Sequence, residues 1–225
     1  MFCIYYCRKN NLQSRYLRYF ISELDFLLRI LFPLYIPKSI IKNNPSCNVS
    51  DYLFFNKKDI EYIISLLRID HTGEICAQAL YRSQLFFIRR FGIRRKYIKV
   101  GMEEINHLFW CEQRLKELGG SVSKLNLFFY ICSFIIGLFV SLFGENISLG
   151  FISESEKQVV NHLKSHLKKI PVQDRKTRII LEKMISDEYD HYNFAKDYGG
   201  IVFPWFLKKV MKYLSQVMIF SSYYI

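Results

Sequence analysis

From about residue 58 to residue 200, apolar side chains recur every three or four positions. Few segments show the every-second-residue alternation of strands, so the pattern predicts helices almost throughout. Four amphipathic stretches stand out. The first places Ile60, Ile63, Leu67, His71, Glu74, Gln78, Tyr81, Leu85 and Ile88 on one face. The second runs Val100, Glu104, His107, Cys111, Leu115, Leu118 and stops at Gly119-Gly120. The third runs Ile152, Glu156, Val159, Leu163, Leu167, Ile170 and stops at Pro171. The fourth runs Leu181, Met184, Glu188, His191, Ala195, Tyr198, with Gly199-Gly200 as its stop.

Between the second and third stripes, residues 125–144 read "LNLFFYICSFIIGLFVSLFG" and contain no charge. Their length just suffices to span a bilayer. A crossing would separate the second stripe from the third, so the segment reads as an apolar helix dipping into one leaflet. The tail, "VFPWFLKKVMKYLSQVMIF", sets apolar residues beside Lys208, Lys209 and Lys212 at helical spacing. An interfacial helix has that pattern, and so does a helix packed on a bundle. At the other end, "SELDFLLRILFPLYIPKSIIKNNPS" is a short apolar helix broken by Pro33 and Pro37, with Glu23 and Asp25 arguing against an organellar presequence. The expected organisation is an arm with a short apolar helix over residues 1–50 and a bundle over 51–200 that includes the 125–144 helix. A C-terminal amphipathic helix covers 201–225.

Composition sharpens this picture. The chain is 51% hydrophobic and 17% aromatic, yet carries a formal charge of +12. Apolar side chains under a positive surface suit a protein lying on an anionic membrane. Nucleic acid is set aside, because no zinc-finger spacing or RNP-like string is present. The basic run "RRFGIRRKYIK" over 89–99 falls at the expected turn between the first two helices, as a solvated turn or a face toward anionic lipid. The six cysteines form no C-x-x-C pair and read as reduced thiols, Cys76 and Cys111 within helices.

The chemistry lies in the carboxylates on the stripes. "EEINH" and "DEYDH" each contain Glu-x-x-His, as Glu104 with His107 and Glu188 with His191, and positions three apart share a helix face. The remaining two stripes each hold a glutamate, Glu74 and Glu156. Glu74 precedes Glu104 by 30 residues and Glu156 precedes Glu188 by 32, so the two halves repeat one plan. Four bare carboxylates facing a core would carry a prohibitive desolvation cost. Two divalent cations would balance them and turn that penalty into binding energy. One Glu from each of two helices, with Glu-x-x-His from the other two, is the ligand pattern of di-iron and di-manganese carboxylate bundles. Oxygen-rich ligation with two imidazoles favours iron or manganese over structural zinc.

By helix pairing, Glu104 and Glu188 are expected to bridge the metals. Glu74 with His107 would complete one, and Glu156 with His191 the other. Asp187 and Glu103, each beside a bridging candidate, read equally as hydrogen-bond partners of a histidine on the opposite helix or as exposed carboxylates. His71 and His162 read as core or surface histidines, with orientation of a ligand or substrate as the sharper alternative. His166 is expected to face solvent, and Tyr81 to pack in the core or donate to a ligand.

These stretches, with "LRIDHTGEICAQALY", "FYICSFIIGLFVSLFGENISLGF", "ESEKQVVNHLKSHLKKIP" and "RIILEKMISDEYDHYNFAKDYGG", carry a resemblance over most of residues 20–200. The chain resembles the demethoxyubiquinone hydroxylase family of di-iron monooxygenases in ubiquinone biosynthesis, more in its bacterial than its mitochondrial form. Residues 1 to about 18 read as an extension, and Leu163 stands where the mitochondrial form has a tyrosine beside His162. The resemblance implies an all-α, ferritin-like four-helix bundle with additional apolar or amphipathic membrane-associated helices. It implies two iron ions per chain on Glu74, Glu104, His107, Glu156, Glu188 and His191, which act in catalysis through the metals. The implied reaction hydroxylates 2-polyprenyl-3-methyl-6-methoxy-1,4-benzoquinol with O2. No dinucleotide-binding fingerprint is present, so electrons would come from an external donor, NADH or a quinol. The membrane lipid surface and other ubiquinone-biosynthesis proteins are the further implied partners. The implied location is peripheral, on the cytoplasmic side of the cell membrane, or on the matrix side of a mitochondrial inner membrane. A bacterioferritin-like iron-binding or ferroxidase protein shares the ligand plan, and a metal-free membrane-interaction protein shares only the surface pattern.

Overall fold

The computed structural model describes residues 21–25, 28, 44–50 and 56–225. Two compact units result, Met1–Ile40 and Ile41–Ile225. In the first, the described residues 21–25 and 28 are helical. The rest of the expected apolar helix of the arm lies outside the described residues. All elements of the second unit are helices among the described residues: α1 (Lys57–Gln84), α2 (Phe91–Glu117), α3 (Asn126–Ser141), α4 (Glu145–Lys169), α5 (Arg175–Asp197) and α6 (Trp205–Tyr224). This all-α architecture is consistent with a ferritin-like bundle, in which α1, α2, α4 and α5 carry the four predicted stripes.

Local signals set the helix ends. Asn56 caps α1, its side chain accepting from the Asp59 amide at 2.9 Å. Asp174 does the same for α5 through the Thr177 amide at 3.0 Å, and such a cap stabilises a helix by about 1 kcal/mol. At the end of α5, Gly199 takes φ 103°, a left-handed conformation that favours glycine, and the Gly200 amide returns to the Ala195 carbonyl at 3.0 Å.

Three boundaries differ from the sequence expectation. α1 ends at Gln84 rather than continuing to Ile88, although Ile88 still reaches the core from the following turn. The basic run 89–99 therefore lies largely in the first turns of α2, not in a turn. Its charges are partly engaged: the backbone amides of Arg89 and Arg90 and the Arg90 guanidinium all donate to Glu145, and Arg94 donates to the Leu85 carbonyl at 2.8 Å. The apolar helix is Asn126–Ser141, shorter than 125–144, because the chain turns at Leu142–Phe143 and Gly144 adopts φ 105°.

Among the described residues, no helix is long and apolar enough to cross a membrane. Instead α3 lies along α1, tied at its start by Asn126, which accepts from the Thr72 hydroxyl at 2.9 Å and sits 3.4 Å from His71 Nδ1. At Gly137 the two helices approach so closely that a Cβ would collide with the Ser83 hydroxyl. α6 packs on α1, where Arg68 donates to the Tyr223 carbonyl at 3.2 Å. It also meets α4 through Lys208 and Glu154, 3.6 Å apart.

A layer of Leu66, Trp110, Leu163, Leu181 and Met184, contributed by α1, α2, α4 and α5, forms the apolar core. Full burial of each aliphatic chain is worth about 1.5–3 kcal/mol. Near the end of α2, buried Arg114 donates to Asp174 and Thr177 of α5, each at 2.9 Å, and so locks the two halves of the bundle together.

Candidate metal centre

The six predicted side chains converge in the middle of the bundle. α1 supplies Glu74, α2 Glu104 and His107, α4 Glu156, and α5 Glu188 and His191, and all six are buried. They form two overlapping groups. Glu74, Glu104, His107 and Glu188 each offer one donor atom, all within 4.8 Å of one another, and so do Glu104, Glu156, Glu188 and His191. Glu104 and Glu188 belong to both groups.

The histidines are held in matching ways. His107 Nδ1 points inward, 3.0 Å from Glu188 and 3.5 Å from Glu104, with Glu74 at 3.6 Å. His191 Nδ1 lies 2.9 Å from Glu104 and 3.0 Å from Glu188. The outer nitrogens face carboxylates of the opposite half, His107 Nε2 to Asp187 at 3.2 Å and His191 Nε2 to Glu103 at 3.2 Å. The carboxylates at each Nε2 hold a proton there, so Nδ1 is the atom each imidazole would offer a cation once the proton facing the glutamates is displaced. Tyr81 donates its hydroxyl to Glu156 at 2.6 Å, so it engages the cluster as well as packing edge-on against Tyr97.

Electrostatics separates the four glutamates into two kinds. Burial, then the negative charge of Glu104, raises Glu74; burial, then Glu188, raises Glu156. Burial also opposes ionisation of Glu104, but the imidazoles of His107 and His191 close beside it prevail and hold it well below the usual carboxylate range. Glu188 is likewise lowered against burial and the Glu104 charge by the two histidines. Both histidines are raised despite burial, His107 by Asp187 and the glutamates, His191 by Glu188, Glu103 and Glu104. The central pair thus carries the negative charge and the outer pair retains protons.

Several donor atoms have no hydrogen-bond partner: both oxygens of Glu104, one each of Glu74 and Glu188, and His107 Nδ1. Unsatisfied buried charge of this kind is costly unless a cation completes it. Six oxygen and imidazole donors in two groups with a shared pair fit two first-row divalent ions, with iron and manganese favoured over softer metals.

One further expectation needs correction. His166 does not face solvent. It is buried, with Nδ1 2.8 Å from Asp70 Oδ1, because a carboxylate on α1 offers a polar partner inside the core. His162 is partly exposed on the same face of α4, 3.7 Å from Asp70. His71 lies outside the cluster, against Asn126, and burial pushes it down to about 3. Asp70 was missed altogether. The available signal was its position one turn before Glu74, together with two histidines four apart on α4.

Residues 61–222 match the family model described as ubiquinone biosynthesis protein COQ7. The chain is 39% identical over 213 residues to a 3-demethoxyubiquinol 3-hydroxylase of Legionella pneumophila (strain Paris), covering 94% of this chain and 99% of the relative. It is 46% identical over 162 residues to a protein of that same description from Alcanivorax borkumensis, covering 72% of this chain and 74% of the relative. A Coxiella burnetii relative, again so described, is 44% identical over 162 residues, 72% of this chain and 75% of its own length.

Proposed function

The chain belongs to the COQ7 family of ubiquinone biosynthesis proteins and is an oxidoreductase that hydroxylates 3-demethoxyubiquinol, and we propose that two iron ions on its six buried side chains carry that reaction. The observation behind the proposal is the pair of overlapping donor groups that share Glu104 and Glu188. Family membership sets aside the iron-storage reading.

In this reading Glu104 and Glu188, common to both donor groups, would hold both metals, with Glu74 and His107 completing one set of ligands and Glu156 and His191 the other. Bound there, the iron pair would activate O2 so that one oxygen atom enters the quinol ring and the other leaves as water, with two electrons from an external donor such as NADH or a quinol. The protein supplies the rest. Asp187 and Glu103 fix each histidine's tautomer through the outer nitrogen. Tyr81 holds Glu156 in place from α1.

The polyprenyl substrate is drawn from a membrane on which the protein lies peripherally, at the cytoplasmic face of a cell membrane. Two exposed apolar stripes support this. One follows α3 through Phe128, Ile131, Ile135, Phe139 and Leu142. Along α6 the second runs through Phe206, Val210, Tyr213, Val217, Phe220 and Tyr224. Soluble surfaces rarely display such continuous apolar area without a use for it. Of the nearby lysines, Lys208 reaches back to Glu154, which leaves Lys209 and Lys212 for anionic headgroups.

The deciding experiment is hydroxylation of demethoxyubiquinol by the anaerobically reconstituted chain after O2 is admitted. Glu104→Ala and Glu188→Ala should each abolish product, and retained hydroxylation in either would reject its role in holding both metals.

A further inference from the structure

Asp70, His162 and His166 form a second kind of cluster, apart from the six side chains above. Asp70 lies one helical turn before Glu74, about 6 Å along the axis, so the two clusters occupy successive layers of the bundle. His162 and His166 are four residues apart on α4, where side chains share a face. Their donor atoms and that of Asp70 all lie within 4.8 Å of one another.

The geometry does not match a plain buried hydrogen bond. His166 Nδ1 comes within 2.8 Å of Asp70 Oδ1 as an ion-pair contact, yet neither atom makes a hydrogen bond. The second oxygen of Asp70 and His162 Nε2 also make no hydrogen bond. Asp70 and His166 are only 3% and 2% exposed, so solvent does not satisfy them. The six-residue cluster likewise holds buried atoms that make no hydrogen bond, on Glu74, Glu104, His107 and Glu188. Ligands bound at 2.0–2.2 Å to one cation stand roughly 2.8–3.6 Å apart, from octahedral to tetrahedral geometry, and the 2.8 and 3.7 Å separations lie at the two ends of that range.

We infer that Asp70, His162 and His166 form a third, mononuclear site for a first-row divalent cation, with one carboxylate and two imidazole ligands. Two histidines and one carboxylate, with remaining positions open to water, suit iron(II) or zinc(II). Cys111, near enough to feel the Asp70 charge, is not a ligand, since burial keeps its thiol protonated. His162, with its side chain 23% exposed, gives the ion a route from solvent. The inference stands independently of the iron pair, because it shares no ligand with it.

The test is equilibrium dialysis of the full chain against iron(II) without oxygen, with bound iron counted by elemental mass spectrometry. Wild type should hold about three ions per chain, and Asp70→Asn, His166→Gln and His162→Gln about two. Glu104→Ala/Glu188→Ala should retain about one, which a further Asp70→Asn change removes. His162→Gln, at a partly exposed position, decides the matter should the buried variants fail to fold by circular dichroism. The proposal is overturned if folded Asp70→Asn or His162→Gln binds as much iron as wild type. That outcome leaves the iron pair standing, whereas an undiminished count in Glu104→Ala/Glu188→Ala overturns the pair and not this site.

Discussion

Asp187→Asn probes how the protein controls a ligand that it does not itself supply. Asp187 accepts from His107 Nε2 at 3.2 Å and is also paired with Lys183. Burial opposes its ionisation, but His107 and Lys183 hold its carboxyl down to about 2, so it is charged under all working conditions. A hydrogen bond to a charged group contributes about 1.5–3 kcal/mol and a neutral one about 0.5–1.5. Asparagine keeps the shape and loses the charge, so the expected cost is about 1–1.5 kcal/mol. That corresponds to roughly tenfold in metal affinity, at the lower end of what outer partners of metal-bound histidines contribute. Glu103→Gln should have the same effect through His191, since the contact is also 3.2 Å. Asp190→Asn, an exposed carboxylate on the same helix, is the control. Anaerobic iron(II) titration against a competing chelator measures all four proteins. If Asp187→Asn binds within about twofold of wild type while Asp190→Asn does the same, the carboxylate–imidazole contact does not tune the site and the reasoning fails.

Metal loading should release protons. Glu74, Glu156, His107 and His191 are raised and hold protons that coordination must displace, whereas Glu104 and Glu188 are lowered and already ionised. Apparent affinity therefore rises with pH and is lost as pH falls, and a pH-independent affinity near neutrality would contradict this. Asp174→Ala should destabilise the fold by about 1–3 kcal/mol in urea unfolding, because the buried guanidinium of Arg114 loses its contact with Asp174 and keeps the exposed carboxylate of Glu117. Asp174→Asn, which keeps the cap to Thr177, should cost less, and equal losses would refute the charge argument. Replacing Lys209 and Lys212 with glutamine should weaken binding to anionic vesicles by about 2 kcal/mol, roughly 30-fold, and unchanged sedimentation with such vesicles would remove the membrane assignment.

Much of this centre was legible because it depends on spacing within helices. Glu-x-x-His puts two side chains on one face whatever the neighbours are, and the plan occurs twice. A repeat of polar residues inside apolar stripes is a signal that one instance cannot give. What escaped depends on contacts between helices. His166 sits in the third stripe's register, but only Asp70 on α1 makes its burial tolerable, and periodicity on α4 carries no information about α1. Lys208 looked equivalent to Lys209 and Lys212 until Glu154 of α4 claimed it. The end of α3 turns on Gly144, whose positive φ is a property of the backbone path rather than of hydropathy.

The two halves of the bundle interlock through the site. His107 of α2 leans on Asp187 of α5, and His191 of α5 leans on Glu103 of α2, while both inner nitrogens face the same two glutamates. A one-turn slip of α2 against α5 would move each histidine by about 5.4 Å and break both pairs at once. Register and ligand geometry are therefore one specification. The carboxylates that make the centre unfavourable without a cation come from all four helices, so their repulsion acts on the packing of the whole bundle. Any cation that binds only the assembled cluster shifts the folding equilibrium toward that packing, by an amount that grows logarithmically with its concentration over its Kd. The bundle's stability and its capacity for chemistry are, on this geometry, coupled through the same six side chains.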